Sequence, residues 1–399
     1  MPPGILVQHA RLADRSNELV RSDIAAVVGF ISRERWPAGA TAGDFLEIVL
    51  RREADLWAHP DRALVDAASR RAVAAFFANG GDTLHLFGVC VGNDEDLKTP
   101  AGVETVLAPL LDRLRAEDDI ALLMCPAAAY LRCSVDRRGA IHADADALYD
   151  ALLAHCREMS NRFAVLDPPR ALHGEPLVRW ITGFRRRFPE NRSHGAVYYP
   201  WVMGIDGESV PPSGAVAGTF ARLEMEHRPY GVAWPPANTP IHGVVAPEVE
   251  LDWDEAGRLS EEAINPLVVQ AGRGVIAFGA RTLTHDDRFA FVNQRRVVSM
   301  ITEQLRRDSE WAVFETNNPH LWDVLERDIL FRLGEFAAAG MLSGGTPRQD
   351  YDAECNAETN LPALRNAGQV NVRVRLRPVG TVEHIVVDLR VGDGAAGGA

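Results

Sequence analysis

Lysine is almost absent from this chain. Lys98 is the only one, and the remaining cationic side chains are arginine. A basic excess is missing as well: the formal net charge is −13 and the pI is near 5.4. Nucleic-acid-binding domains normally carry a basic footprint, so no nucleic-acid partner is expected. Cysteine is sparse. Cys90, Cys125, Cys133, Cys156 and Cys355 are scattered, odd in number and without metal-ligand spacing, which points to reduced thiols. No stretch approaches the roughly 18 apolar residues of a membrane span. Met1-Pro2-Pro3-Gly4 opens without a charged segment ahead of an apolar one. Direct membrane insertion is therefore not expected, and assembly in the cytoplasm is.

Catalytic signatures are missing too. Ser193-His194, and Ser213 with His227 or His242, supply residue types for a hydrolase, but no Gly-x-Ser-x-Gly elbow surrounds either serine. Ser213 reads as a turn and helix-capping residue. Gly272-x-Gly274 with Gly279 lacks the Lys-Ser/Thr of a phosphate-cradling loop, so these glycines mark a strand bend or close backbone approach. His142, Asp144 and Asp146 alternate like metal ligands but lack a calcium-loop glycine and terminal glutamate, so a helix-entry loop is expected. Arg185-Arg186-Arg187 reads as a solvated helix face. No catalytic, cofactor-binding or metal-binding residue is assigned, and no cofactor is expected.

What is present is a chain of 399 residues, long enough for two domains. Apolar runs at 24–31, 83–91, 120–124, 163–166 and 196–202 alternate with helical patterns at 64–78, 103–114, 148–159, 177–188 and 210–226. Alternation of this kind means βαβ units and a largely parallel sheet. The proline-rich 230–242, the stretch 251–264 and Asn265-Pro266 suggest a boundary near residue 265. The fold class is α/β plus α+β.

Two features stand out beyond that boundary. The first is a long helix that Asn318 can cap and Pro319 can open, with Gly340 as its stop. Trp322, Leu325, Ile329, Leu333 and Phe336 fall on one stripe that should be buried. Val324 and Phe331 lie on the opposite side among Arg327, Asp328, Arg332 and Glu335. That second face is either solvated or a partner surface. The other feature is a hairpin candidate. Val370, Val372, Val374 and Leu376 alternate with polar residues, and Ile385, Val387, Leu389 and Val391 recur at every second position after Pro378-Val379-Gly380. The hairpin is either an edge of its own domain or an arm that adds to a neighbour's sheet. Pro3-Gly4-Ile5-Leu6-Val7 is another short extended segment.

At these residues the chain resembles a known family. The runs GVIAFGARTL (274–283), FVNQRR (291–296), WAVFETNNPHLW (311–322), the Gly340–Gly345 turn and Cys355–Asn360 are similar to the C-terminal domain of contractile-tail sheath proteins of phages and phage-derived injection systems. The segments 20–30, 74–81 and 210–218 resemble sheath landmarks in the same order. The resemblance implies a structural subunit that polymerises with itself in six-fold rings of a helical lattice around an inner tube protein. Contraction would then drive that tube through a target envelope. It also implies baseplate and terminator partners and membership of a phage tail or tail-like particle. By the same resemblance, residues 20–265 form an outer α/β domain with a mainly parallel sheet, and 266–391 an inner α+β domain. Residues 1–19 are an N-terminal arm joining the inner domain, and 392–399 a disordered tail. Ile5, Leu6, Val7, Val372, Val374, Leu376, Ile385, Val387 and Leu389 are the implied inter-subunit β arms. Arg327, Asp328, Phe331, Arg332 and Glu335 are the candidate tube contacts. The competing expectation is a serine hydrolase-like or ligand-binding α/β protein that has kept the sheath fold.

Overall fold

A computed structural model describes residues 19–92, 94–343 and 349–380. Strand β1 (Ala25–Ser32) is followed by β2 (Phe45–Leu50), α1 (Glu53–Ala58), α2 (Ala67–Ala78), β3 (Leu84–Val91), α3 (Pro100–Arg115) and β4 (Leu122–Met124). A hairpin, β5 (Cys133–Val135) and β6 (Ile141–Ala143), precedes α4 (Asp146–Met159), β7 (Phe163–Leu166), α5 (Gly174–Arg187) and β8 (Gly195–Tyr199). Then come β9 (Val202–Gly204), β10 (Ser209–Val210), α6 (Ser213–Glu226), β11 (Thr239–Pro240), β12 (Val244–Pro247) and α7 (Trp253–Glu261). Strands β13 (Ile264–Gln270) and β14 (Gly274–Ala277) follow, then α8 (Val292–Asp308), α9 (Pro319–Ala338), β15 (Tyr351–Glu354), α10 (Pro362–Asn366) and β16 (Arg373–Leu376).

Nine strands form one sheet in the order β11-β14-β13-β8-β7-β4-β1-β3-β2. From β13 to β3 neighbouring strands are parallel; β2, β14 and β11 join antiparallel at the two margins. Both faces of the central strands are covered, which is why they read as continuous apolar runs rather than alternating ones. Ala26 and Val28 of β1 face a core with α3, α4 and α5, whereas Ala25 and Val27 face α2 and α6. Gly214 and Gly218 let α6 lie against α2: a Cβ at either position would stand 2.4 and 2.3 Å from the carbonyl oxygens of Ala72 and Phe76.

Asn265-Pro266, read above as a boundary, lies inside β13. Pro266 has no N–H to give, and the Asn265 side chain does the joining instead. Its Nδ2 donates to the carbonyls of Val197 (3.0 Å) and Arg281 (2.8 Å), and its Oδ1 accepts from Arg281 N (2.6 Å). The main sheet therefore runs on through Ala277, and Val292 of α8 still packs into its core. Gly272 and Gly274, with φ of +77° and +76°, make the tight β13–β14 turn.

A smaller α+β unit follows with its own core of Val297, Met300, Ile301, Ile329, Leu333, Phe336, Tyr351 and Ala353. Strands β15 and β16 form a two-stranded antiparallel sheet with Ala353 opposite Val374 and Tyr351 opposite Leu376.

Candidate assembly surface

Doubly wound sheets take ligands in the crevice at the carboxyl ends of strands whose connections leave in opposite directions. Here that crevice lies between β1 and β4, and the chain fills it. The turn Pro126–Tyr130 directly after β4 buries Pro126, Ala127, Ala128 and Ala129 and packs on β1 and α2.

The hydrolase-type residues do not converge. Ser213 opens α6, and its backbone N–H donates to Asp167 Oδ1 at 2.8 Å. Burial raises Asp167 to about 7. His242 gives its backbone N–H to Asn79, and the His227 ring stacks on Trp234. Ser193 Oγ lies 3.2 Å from Nδ1 of the adjacent His194, whose ring burial lowers to about 3 and keeps neutral.

The alternating His142, Asp144 and Asp146 also separate. His142 faces Asp136 (3.4 Å) and Asp144 faces Lys98 (3.7 Å). Buried Asp146 accepts from Trp180 Nε1 and pairs with Arg187. The arginine run on α5 is not simply solvated: Arg185 is buried and donates to the Glu262 carbonyl, and Arg187 turns in to Asp146.

Helix α9 is built as its residues require. Asn318 Oδ1 accepts from Leu321 N (3.0 Å), Pro319 opens the first turn, and Gly340 at φ +79° follows the last. The stripe Trp322, Leu325, Ile329, Leu333 and Phe336 is buried throughout. On the other side the structure divides the five candidate contacts. The Arg327 side chain is 72% exposed and Phe331 is 57% exposed. Arg332 is only 11% exposed: its Nε donates to Asp308 of α8 (2.6 Å) and its Nη1 to Glu335 (2.8 Å). Arg332 is thus a brace between α9 and α8, a correction to its reading as a surface contact. Asp328 lies beside Arg327, at 3.9 Å, and Glu335 remains partly exposed.

The arm residues divide as well. Ile5, Leu6, Val7, Ile385, Val387 and Leu389 lie outside the described residues. Val372, Val374 and Leu376 rest on the core of their own unit, Val374 and Leu376 paired to β15. The chain beyond β16 is pinned further, with Val379 N donating to Met341 O and Ser343 N to Arg377 O. An arm leaving this end therefore begins after Val379, not at Val372.

Among the described residues β16 pairs with β15 alone, so its second edge is open. Beside it runs an apolar groove of about 1000 Å³ between α8 and β16, floored by Val298, Ile301, Leu305, Ile329, Val374 and Leu376. An open edge flanked by apolar surface is a template for another strand.

The opposite terminus is rooted next to the same helix. Val20 N donates to Gln304 of α8 (2.8 Å), and Ser22 gives both N–H and Oγ–H to Glu224 Oε1 of α6. Arg296 of α8, fully buried, donates to Ser22 O and Glu224 Oε2. Sequence reasoning noticed Arg296 only as part of a motif, and its partners, 72 and 274 residues away, leave no local signal.

Residues 139–283 match the family model for the phage tail sheath protein central domain, and residues 284–392 that for the phage tail sheath C-terminal domain. The chain belongs to the contractile tail sheath family. Over 241 residues the sheath chain is 22% identical to the tail sheath protein of Enterobacteria phage T4; the match takes in 57% of this chain but 35% of the phage protein. Its fold is similar to that in the sheath complex of an extracellular contractile injection system, PVC, in the contracted state. There the TM-score is 0.72 at 21% identity, covering 98% of this chain and 97% of the other. The contracted helical sheath of the anti-feeding prophage gives 0.70 at 20% identity, covering 98% and 99%. The two sheath models meet at residues 283 and 284, just past the end of the main sheet.

Proposed function

We propose that this chain is the repeating subunit of a contractile sheath. It polymerises helically as stacked six-fold rings around an inner tube protein, and it contracts to drive that tube through a target envelope. Baseplate and terminator proteins hold the two ends, and the particle is a phage tail or a tail-like injection device assembled in the cytoplasm. The observation that carries this reading is the open edge of β16 beside an apolar groove, in a chain whose ligand crevice is filled by its own turn. Residues 1–18 and those after Val379 serve as the linking arms, with Ile5, Leu6, Val7, Ile385, Val387 and Leu389 as their pairing residues. A strand supplied by another copy satisfies backbone groups as well as one from the same chain, so subunits stay linked while their packing changes. Contraction is then rigid-body repacking between two lattice arrangements, driven by energy stored during assembly.

The nine-stranded unit, up to about residue 283, forms the outer part of the wall; the small C-terminal unit and the N-terminal arm form the inner part. Arg327, Asp328, Phe331 and the exposed side of Glu335 are the proposed tube contacts. Sedimentation and electron microscopy of the concentrated protein test the reading. Hollow cylinders of regular width are the expected result. A single species of 43.7 kDa at every concentration would contradict it.

A further inference from the structure

We propose that in the free subunit the groove beside β16 is occupied in cis by residues 383–391 of the same chain, which cover it until assembly exchanges them for a neighbour's strand. The inference rests on the sheath reading only for what the exchange accomplishes; the cis occupancy stands on the subunit alone.

Three observations select this occupant. Pro378, two residues beyond β16, is itself part of the groove wall, and Val379 is held by its bond to Met341 O. The chain therefore leaves the described residues at the mouth of the groove, not across the molecule from it. Next, the continuation carries Ile385, Val387, Leu389 and Val391 at every second position. One face of a strand there would lay a continuous apolar row on Val298, Ile301 and Leu305. Finally, nine residues of strand span about 30 Å, roughly twice the length of four-residue β16, so the segment can cover the groove as well as the edge.

Left uncovered, the free subunit would expose both an unpaired strand edge and a large apolar groove, the combination that drives indiscriminate association. Cis pairing removes both. Because the cis and trans arrangements make equivalent backbone bonds, exchange between them costs little once a neighbour is held close. Assembly would then begin where a template raises the local concentration of strands, and not in free solution.

The test uses dilute, monomeric protein, so it does not require that cylinders form. Hydrogen exchange is followed in the peptides covering β16 and residues 297–306 for the full chain, for Val387→Asp, for a chain ending at Gly380 and for one lacking residues 1–18. Val387→Asp alters only the segment and leaves the described core intact. The expected result is at least about tenfold faster exchange at β16 in Val387→Asp and in the truncated chain, with no change on removing residues 1–18. A synthetic peptide of residues 381–392 should bind the truncated chain, restore protection, and fail to bind the full chain. Equal exchange at β16 in the full chain and in Val387→Asp overturns the proposal. So does equal binding of the peptide to the full and truncated chains. Deprotection caused by loss of residues 1–18 would assign the groove to the N-terminal segment instead. A protected β16 in a protein that never forms cylinders would count against the sheath reading and leave cis occupancy standing.

Discussion

The nine-stranded unit and the small C-terminal unit are stabilised by the same kinds of apolar core, yet they end differently. In the large unit helices cover both faces of the sheet, and the turn Pro126–Tyr130 closes the crevice where related topologies hold ligands. In the small unit, among the described residues, the two-stranded sheet leaves the outer edge of β16 unpaired with a groove beside it. Chemistry needs an accessible, polar, converging site; mechanical linkage needs unfinished backbone pairing. The first unit packs its own turn into the β1–β4 crevice, and the second has an edge to offer another strand.

The joint between the two units should give the largest effect when broken. Glu224 of α6 and Arg296 of α8 are buried together, and burial raises the carboxyl's pKa against the pull of the arginine. Arg296→Ala would leave the carboxylate without its partner at a cost of about 3–5 kcal/mol, read as the loss in denaturant unfolding free energy. If Arg296→Ala melts like the parent, the two units are not held by this pair.

Next comes the core of the small unit alone. Leu333→Ala removes a fully buried side chain and should cost about 2–5 kcal/mol. Unfolding that starts in the α8–α9 peptides, seen by hydrogen exchange, would show that the units can open separately. Simultaneous exchange in both would show that the joint makes them one.

A titration distinguishes the large unit by itself. Asp167 is buried and raised to about 7, above its ordinary 3.8. A carboxyl with a raised folded-state pKa contributes stability that is complete below about 4 and is lost as pH rises toward 7, with no further loss above. Asp167→Asn keeps an oxygen to accept from Ser213 N and carries no charge. The variant should match the parent near pH 4 and exceed it at pH 8 by about 4 kcal/mol. A parent whose stability is flat between pH 4 and 8 would contradict this.

The smallest effect on stability belongs to the exposed side of α9. Arg327→Glu should change stability by less than about 0.5 kcal/mol while weakening co-sedimentation with an inner tube. Arg332→Glu should differ sharply, because it sets a third carboxylate beside Asp308 and Glu335 and destabilises the fold itself. Similar behaviour of the two variants would erase the distinction drawn between surface and brace.

That pair of arginines also shows where sequence reading stops. The capping of α9, its buried stripe and the alternation of parallel strands and helices were all legible, because each depends on residues within one turn or one strand. Arg332 was not, since its partner Asp308 lies 24 residues away on another helix and a charge on a helix's polar side looks solvated from sequence alone. Strand β2 was missed because it is a margin strand buried on one side only. Asn265-Pro266 misled for a related reason: a proline normally ends a ladder, and only the fold shows an asparagine side chain making the missing bonds. The rooting of Val20 and Ser22 on Gln304 and Glu224 is likewise a meeting of distant residues.

Electron microscopy of the full chain beside a chain lacking residues 1–10, matched for concentration and thermal stability, addresses the linkage most directly. Long hollow cylinders from the first and dispersed, folded particles from the second are the expected outcome. Identical cylinders from both would show that residues 1–10 do not join the subunits.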